Sequence, residues 1–317
     1  MGCFVGGCLS ATGAAVVLLD VNEVHMAAIR DQGLHLTRDG RISTIRLAVM
    51  RPEQLDTAPD LVIVLTKQMH TSAALSALST PLLAQSWVLT LQNGLGNREL
   101  IENFVPAERI LLGVTTYPAD LSGPGRVASH GGGLVRLMTA DGMTRPITDR
   151  IVALFNAAGQ DCVADPDVQV AIWEKVAFNA ALNSICGVTG CLVGQLAAIP
   201  QARHLAHAIA AEVVAVARKV GVKADGERVR DAVDHAMVAH AGHKPSMLQD
   251  LLAGRPTEIA AINGAVAGAA ARIGQPAPLT EALMALIRLC ELRRAAEKGE
   301  ILLTVPDAHT LPHLRRT

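Results

Sequence analysis

Met1-Gly2-Cys3-Phe4-Val5-Gly6-Gly7-Cys8-Leu9-Ser10-Ala11-Thr12-Gly13-Ala14-Ala15-Val16-Val17-Leu18-Leu19-Asp20 opens the chain. Small and apolar residues from Gly2 to Ala11 predict a closely packed helix, and Gly13 supplies its stop. Val16 to Leu19 reads as a short apolar strand with a carboxylate, Asp20, at its carboxyl end. Helix, turn, strand and acid form the second half of a βαβ dinucleotide-binding unit. Its first half, an apolar strand and the first two glycines of G-x-G-x-x-G, does not precede them; Gly2 stands as the third glycine. The expectation is an α/β, Rossmann-type doubly wound sheet whose first strand is missing. A natural start further upstream follows from it: in-frame upstream codons would encode an apolar strand and G-x-G, and an in-frame stop would defeat the idea.

Asp20 carries a second expectation. A carboxylate at this strand end accepts both ribose hydroxyls of NAD and repels the 2′-phosphate of NADP. Val21-Asn22-Glu23 brings no arginine to offset it, and Arg30 lies inside the next helix. On these residues the cofactor is NADP or NAD, leaning to NAD.

Further along, Leu34–Thr37 and Ile42–Val49 alternate about Asp39-Gly40, a hairpin pattern. Leu61–Leu65, Trp87–Leu91 and Ile110–Thr116 are continuous apolar runs, as parallel strands covered on both faces require. They are followed by Thr66-Lys67-Gln68, Gln92-Asn93-Gly94-Leu95-Gly96 and Tyr117-Pro118-Ala119. Ligands bind at the carboxyl ends of strands in open α/β sheets, so these three segments are candidates for one crevice. A strand at Leu134–Met138, a helix at Thr148–Ala158 and a strand at Asp161–Val163 complete the domain. Asp165-Pro166-Asp167 reads as a boundary, giving a dinucleotide-binding domain over 1–165 and an all-helical domain over 166–317.

In the helical half, Lys175, Asn179 and Asn183 follow one another at i, i+4 and i+8, on one side of a helix otherwise built of Ala, Val, Ile, Leu and Phe. Buried polar groups need partners. A ligand is one answer: an ammonium to give a proton and two amides to hold oxygens. An amphipathic helix with a solvated stripe is the other. Ser246 with Gln249 fits a capping box, Glu258 suits the positive end of a helix introduced by Pro256, and Asn263 in an Ala/Ile helix calls for a partner.

Composition narrows the class. The 317 residues are 50% hydrophobic, 18% charged and 2% aromatic, with formal net charge −1, which leaves no basic surface for nucleic acid. Apolar runs are broken by charges before membrane-spanning length. Six cysteines form no CxxC pair and no metal-type spacing, so no metal is expected. A cytoplasmic protein acting on a small molecule is the expectation, with no nucleic-acid or membrane partner and with room for a homodimer.

Thr66-Lys67, Gln92-Asn93-Gly94, Trp173-Glu174-Lys175…Asn179…Asn183 and Ser246-Met247-Leu248-Gln249-Asp250…Gly254-Arg255-Pro256-Thr257-Glu258-Ile259…Ile262-Asn263-Gly264, in this order, resemble the ketopantoate reductases (2-dehydropantoate 2-reductases). The resemblance covers nearly the whole chain. It implies an N-terminal Rossmann domain, a helical C-terminal domain and NADPH-dependent reduction of 2-dehydropantoate to pantoate on the route to pantothenate. By position, Lys175 matches the proton donor; Asn179, Asn183 and Ser246 match substrate-binding positions; Asn93 matches a position near both cofactor and substrate; Lys67, Ala119 and Glu258 match cofactor positions, beside Gly2 and Asp20 of the fingerprint reading. The chain departs from the pattern in its missing phosphate-loop glycines, in Asp20 and in His243. The residues leave two other readings open: an NAD-dependent enzyme of another branched 2-oxo or 2-hydroxy acid, and a truncated, non-catalytic dinucleotide-binding protein.

Overall fold

The structure is a computed structural model and describes residues 1–300. The part of the expected 166–317 domain beyond residue 300 lies outside the described residues. The chain forms two compact units, Met1–Val176 with Ala217–Ala224, and Ala177–Val216 with Asp225 onward.

The first unit starts with α1 (Gly2–Ser10), β1 (Val17–Leu19), α2 (Glu23–Gln32), the hairpin β2 (Leu34–Arg38) and β3 (Arg41–Ile45), and β4 (Ala48–Met50). There follow β5 (Leu61–Val64), α3 (Thr71–Ser76), α4 (Thr80–Leu83), β6 (Trp87–Thr90), α5 (Asn97–Ile101) and β7 (Ile110–Thr115). It closes with β8 (Asp120–Gly123), β9 (Arg126–Ser129), β10 (Val135–Thr139), α6 (Pro146–Ala157) and β11 (Cys162–Ala164). The main sheet runs β11-β10-β7-β6-β5, with β5, β6 and β7 parallel. Its side chains alternate between two cores. Leu89, Leu111 and Leu137 point to one with Phe4, Ile151 and Phe155; Val88, Ile110, Leu112 and Met138 point to the other with Leu75 and Ile101. Burial on both faces is why these strands read as unbroken apolar runs.

The rest of the doubly wound sheet is divided. Among the described residues β1 pairs in parallel with β4 and with no other strand, and β5 ends the main sheet. α1 lies tightly on this part: a Cβ at Gly6 would sit 2.6 Å from Leu18 Cδ2, and one at Gly7 would sit 3.1 Å from Leu34 Cδ2. Small residues in α1 are therefore a packing requirement. One expectation needs correction, and one element had no counterpart in the sequence reading. The Ile42–Val49 run is two strands, because its last residues leave the hairpin to pair with β1. The hairpin β8–β9 was not expected; it joins β2 in a four-stranded sheet, β3-β2-β9-β8.

α7 (Val168–Thr189) leads from the first unit into the second. The second unit is helical among its described residues: α8 (Val193–Ala197), α9 (Pro200–Lys219, its last turn grouped with the first unit), α10 (Gly226–Ala239), α11 (Ser246–Leu252), α12 (Ala265–Arg272) and α13 (Pro278–Glu297). A π-helical turn over Ala260–Gly264 precedes α12, marked by the Gly264 N–H donating to Ile259 O at 2.9 Å. The capping box at Ser246 does not form. Pro245 takes the N-cap position without a side-chain cap bond, and the Gln249 amide turns back to Lys244 O at 2.9 Å. Proline's fixed φ already starts this helix, with Ser246 as its first residue.

Candidate active site

Two strand ends in the first unit, those of β5 and β6, are tied together by side-chain amides. Gln92, after β6, donates to Thr66 O after β5 (2.7 Å) and to Thr71 Oγ1 (2.8 Å), while its oxygen accepts from Thr90 (3.0 Å). Gln68 donates to Leu95 O (2.6 Å) and Asn97 Oδ1 (3.0 Å). Asn97 in turn donates to Asn93 O at 3.3 Å. Gly94 and Gly96 both have φ 87°, a conformation that favours glycine, so the Asn93–Asn97 loop needs both its glycines and its amides. Lys67 and Asn93 are thereby fixed on neighbouring strand ends.

At the end of β7, Thr115 Oγ1 accepts from Tyr117 N (3.2 Å), the Tyr117 hydroxyl oxygen accepts from Asp161 N (2.7 Å), and Ser129 donates to Pro118 O (2.7 Å). Gly133 lies against the ring of Tyr117, where a Cβ would approach within 2.5 Å of Cγ. These contacts seat the turn that carries Ala119. Lys175 comes to the same strand end. Its Nζ donates to Thr115 O at 2.7 Å. The structure thus brings Lys67, Asn93, Ala119 and Lys175 to the carboxyl ends of β5, β6 and β7.

Gly2 and Asp20 lie elsewhere in this unit. A Cβ at Gly2 would meet nothing within 4 Å, so the start of α1 has open space beside it. Asp20 uses one carboxylate oxygen, Oδ1, to accept from Val21 N (2.7 Å) and Asn22 N (2.9 Å), which leaves Oδ2 for an external hydroxyl. An open helix start and a half-used carboxylate fit the ribose and phosphates of a dinucleotide. Beside them, Gly125 N–H donates to His25 Nδ1 (3.1 Å), so Nε2 carries the proton that faces Cys3 Sγ at 3.1 Å. Burial pushes the Cys3 thiol up to about 11, with Asp20 adding to the shift. It stays protonated at neutral pH and is no nucleophile.

Within the second unit, Asn179 and Asn183 are 7% and 6% exposed. No hydrogen bond from the described residues reaches either side-chain amide. Asn263 differs. It is fully buried, Ser184 donates to its Oδ1 at 2.8 Å, and it reaches Ala180 O at 3.5 Å. Its partner is the protein itself, and it binds the π turn to α7. Ser246 is exposed at the first turn of α11, and Glu258 precedes the π turn, its carbonyl accepting from Ala261 N and Ile262 N. Sequence reasoning missed Asn97 and Ser184 and placed Gln68 and Tyr117 only within their crevice segments, without the roles that their distant partners give them. Only Asn97, four residues after Asn93, carried a local sign.

The family profile described as "Ketopantoate reductase PanE/ApbA" matches residues 1–142, and "Ketopantoate reductase PanE/ApbA C terminal" matches residues 167–291. The chain belongs to the ketopantoate reductase family. Among its curated relatives, the 2-dehydropantoate 2-reductase of Streptococcus pyogenes serotype M3 is 34% identical over 92% of this chain and 95% of its own. Solved structures agree. D-mandelate dehydrogenase with NADH and anilino(oxo)acetate superposes with a TM-score of 0.87 at 27% identity, over 92% of this chain and 95% of that one. The 2-dehydropantoate 2-reductase of Geobacter metallireducens GS-15 gives 0.83 at 31% identity, over 90% and 95%. As a ketopantoate reductase family member, the chain has the pyridine-nucleotide reductase fold: a Rossmann-type sheet followed by helices.

Proposed function

We propose that this chain reduces 2-dehydropantoate to pantoate with a reduced nicotinamide dinucleotide, residues 1–165 holding the cofactor and residues 166–317 supplying the helical substrate domain. One observation carries the reading. The Lys175 ammonium sits at the carboxyl end of β7, on the helix that goes on to bury Asn179 and Asn183 without a side-chain partner among the described residues. Buried amides left unpaired are costly, and a ligand with carboxylate and hydroxyl oxygens supplies what they lack.

The cofactor, when bound, supplies a hydride; the remaining tasks fall to the chain. Asp20, the start of α1 at Gly2, Lys67, Asn93, Ala119 and Glu258 are assigned to holding the cofactor. Asn93, Asn179, Asn183 and Ser246 are assigned to orienting the oxo acid. As the ketone carbon is reduced, its oxygen gains charge, and Lys175 donates the proton that completes the hydroxyl. Asp20 favours NADH over NADPH. The enzyme is assigned to the cytoplasm, without nucleic-acid or membrane partners; no described helix is long and apolar enough to cross a membrane. A homodimer is its proposed assembly.

A second reading has one observation behind it. The similarity to D-mandelate dehydrogenase with NADH favours an NAD-dependent enzyme of another branched 2-oxo acid. Initial rates with NADH and NADPH against 2-dehydropantoate and a panel of branched and aromatic 2-oxo acids decide. Highest kcat/KM for 2-dehydropantoate supports the main reading. A panel member at least tenfold better supports the second. Cofactor binding without turnover of any acid points to a non-catalytic dinucleotide-binding protein.

A further inference from the structure

Four charged residues gather at the carboxyl ends of β1 and β4. Asp20 follows β1 and Arg51 follows β4, and the Asp20 N–H donates to Met50 O at 3.2 Å, which makes the two residues neighbours across the strand pair. The sequence around Asp20 showed no arginine near it; the parallel pairing supplies Arg51 from a distant part of the chain. Glu23, the first residue of α2, takes hold of it. Arg51 Nε donates to Glu23 Oε1 at 2.5 Å, and Arg30 Nη1 lies 3.9 Å from Oε2 of the same carboxylate. Arg30 is also anchored on Val49 O at 3.3 Å. Arg51 has no such anchor: among the described residues its guanidinium is held by Glu23 alone. The Arg51 and Glu23 side chains are 42% and 57% exposed, so the contact is open to solvent and to ligand.

From this geometry we infer that Glu23 determines which nicotinamide dinucleotide the chain accepts, by engaging Arg51 so that it is unavailable to a 2′-phosphate. The inference rests on the reading that Asp20 meets the adenosine ribose. Asp20, Glu23, Arg30 and Arg51 sum to zero charge. A ribose with two hydroxyls is well served by Asp20 in that neutral setting. A phosphate monoester is not, because it meets Asp20 while the Arg51 guanidinium beside it is committed to Glu23. Removing the Glu23 charge leaves the cluster at +1 and returns to Arg51 the planar donor fork that suits phosphate oxygens. Asp20 sets a preference for the unphosphorylated cofactor, and Glu23 keeps that preference strong.

Equilibrium binding tests this without reliance on turnover. Dissociation constants for NADH and NADPH are measured by nicotinamide fluorescence. Those for adenosine 5′-monophosphate and adenosine 2′,5′-bisphosphate, which differ by the 2′-phosphate alone, are measured by calorimetry. Wild type is expected to prefer the unphosphorylated member of each pair. Glu23→Gln is expected to tighten the 2′-phosphorylated member about tenfold, the scale of one charge-assisted hydrogen bond, with little change in the other. The gain is expected to vanish in Glu23→Gln/Arg51→Ala and to shrink with added salt. An unchanged preference in Glu23→Gln, or a gain that survives Arg51→Ala, overturns the inference while leaving the proposed function intact. Failure of wild type and variants to bind any of the four nucleotides overturns the dinucleotide reading, and this inference with it.

Discussion

Lys175 occupies a position that its own sequence context half explains. Its spacing from Asn179 and Asn183 was legible, because i+4 steps fall on one side of any helix. Its link to Thr115 O was not, since that carbonyl lies sixty residues away on a strand. If Lys175 is the proton donor, Lys175→Ala is expected to lower kcat by about 10²–10⁴-fold, with NADH still quenching or enhancing fluorescence on binding. Near-normal turnover refutes the role. Asn183→Ala is expected to act differently, raising KM for the oxo acid at least tenfold while leaving cofactor affinity in place; a change in cofactor affinity alone would reassign it. Asn263 shows the limit of reading single residues. An amide in an Ala/Ile helix did need a partner, but the partner is Ser184 within the same fold.

At the level of elements, periodicity located most strands and helices, because doubly covered strands and amphipathic helices are written in local patterns. Two elements escaped for physical reasons. β8 and β9 bury few side chains, among them Val127 and Ser129, so Asp120–Ser129 has little apolar content to read. β4 is three residues long and looks like the tail of a hairpin strand until its parallel partner is seen. The π turn is another element with no local sign. It is pinned to α7 by the Ser184–Asn263 hydrogen bond, fully buried on both sides. Asn263→Leu strands the Ser184 hydroxyl and is expected to cost about 1–3 kcal/mol, read as a lowered midpoint in urea. Ser184→Ala/Asn263→Leu is expected to recover part of that loss, since the orphaned hydroxyl goes too.

Across the whole molecule, ionisable groups set the pH range in which the fold holds. Asp234 is drawn from its ordinary 3.8 down to about 2, chiefly by the bidentate Arg203 guanidinium, with His207 assisting against a desolvation that opposes it. The folded chain therefore binds this proton less tightly than the unfolded chain. The contribution is complete above about pH 4 and drains away as pH falls toward 2. Arg203 is half exposed, so solvent screens the pair and the effect is small. Arg203→Ala is expected to raise the acid unfolding midpoint, followed by circular dichroism, by a few tenths of a pH unit at most. Burial shifts Cys162 and Cys186 the other way, up to about 12. Their thiols stay protonated in the fold after the unfolded chain has begun to ionise, so stability falls as pH rises from about 9 toward 12. The divided sheet bears on how the protein behaves in bulk. Leu61–Val64 is four uncharged apolar residues at the end of the main sheet, three of them only partly covered. The outer edge of such a strand, paired with no other strand among the described residues, is a template for another chain, and no lysine or proline within it blunts the invitation. Concentrated preparations are expected to scatter light increasingly with time, and Val62→Lys to suppress the turbidity; a clear solution from the parent chain would show that the edge is shielded.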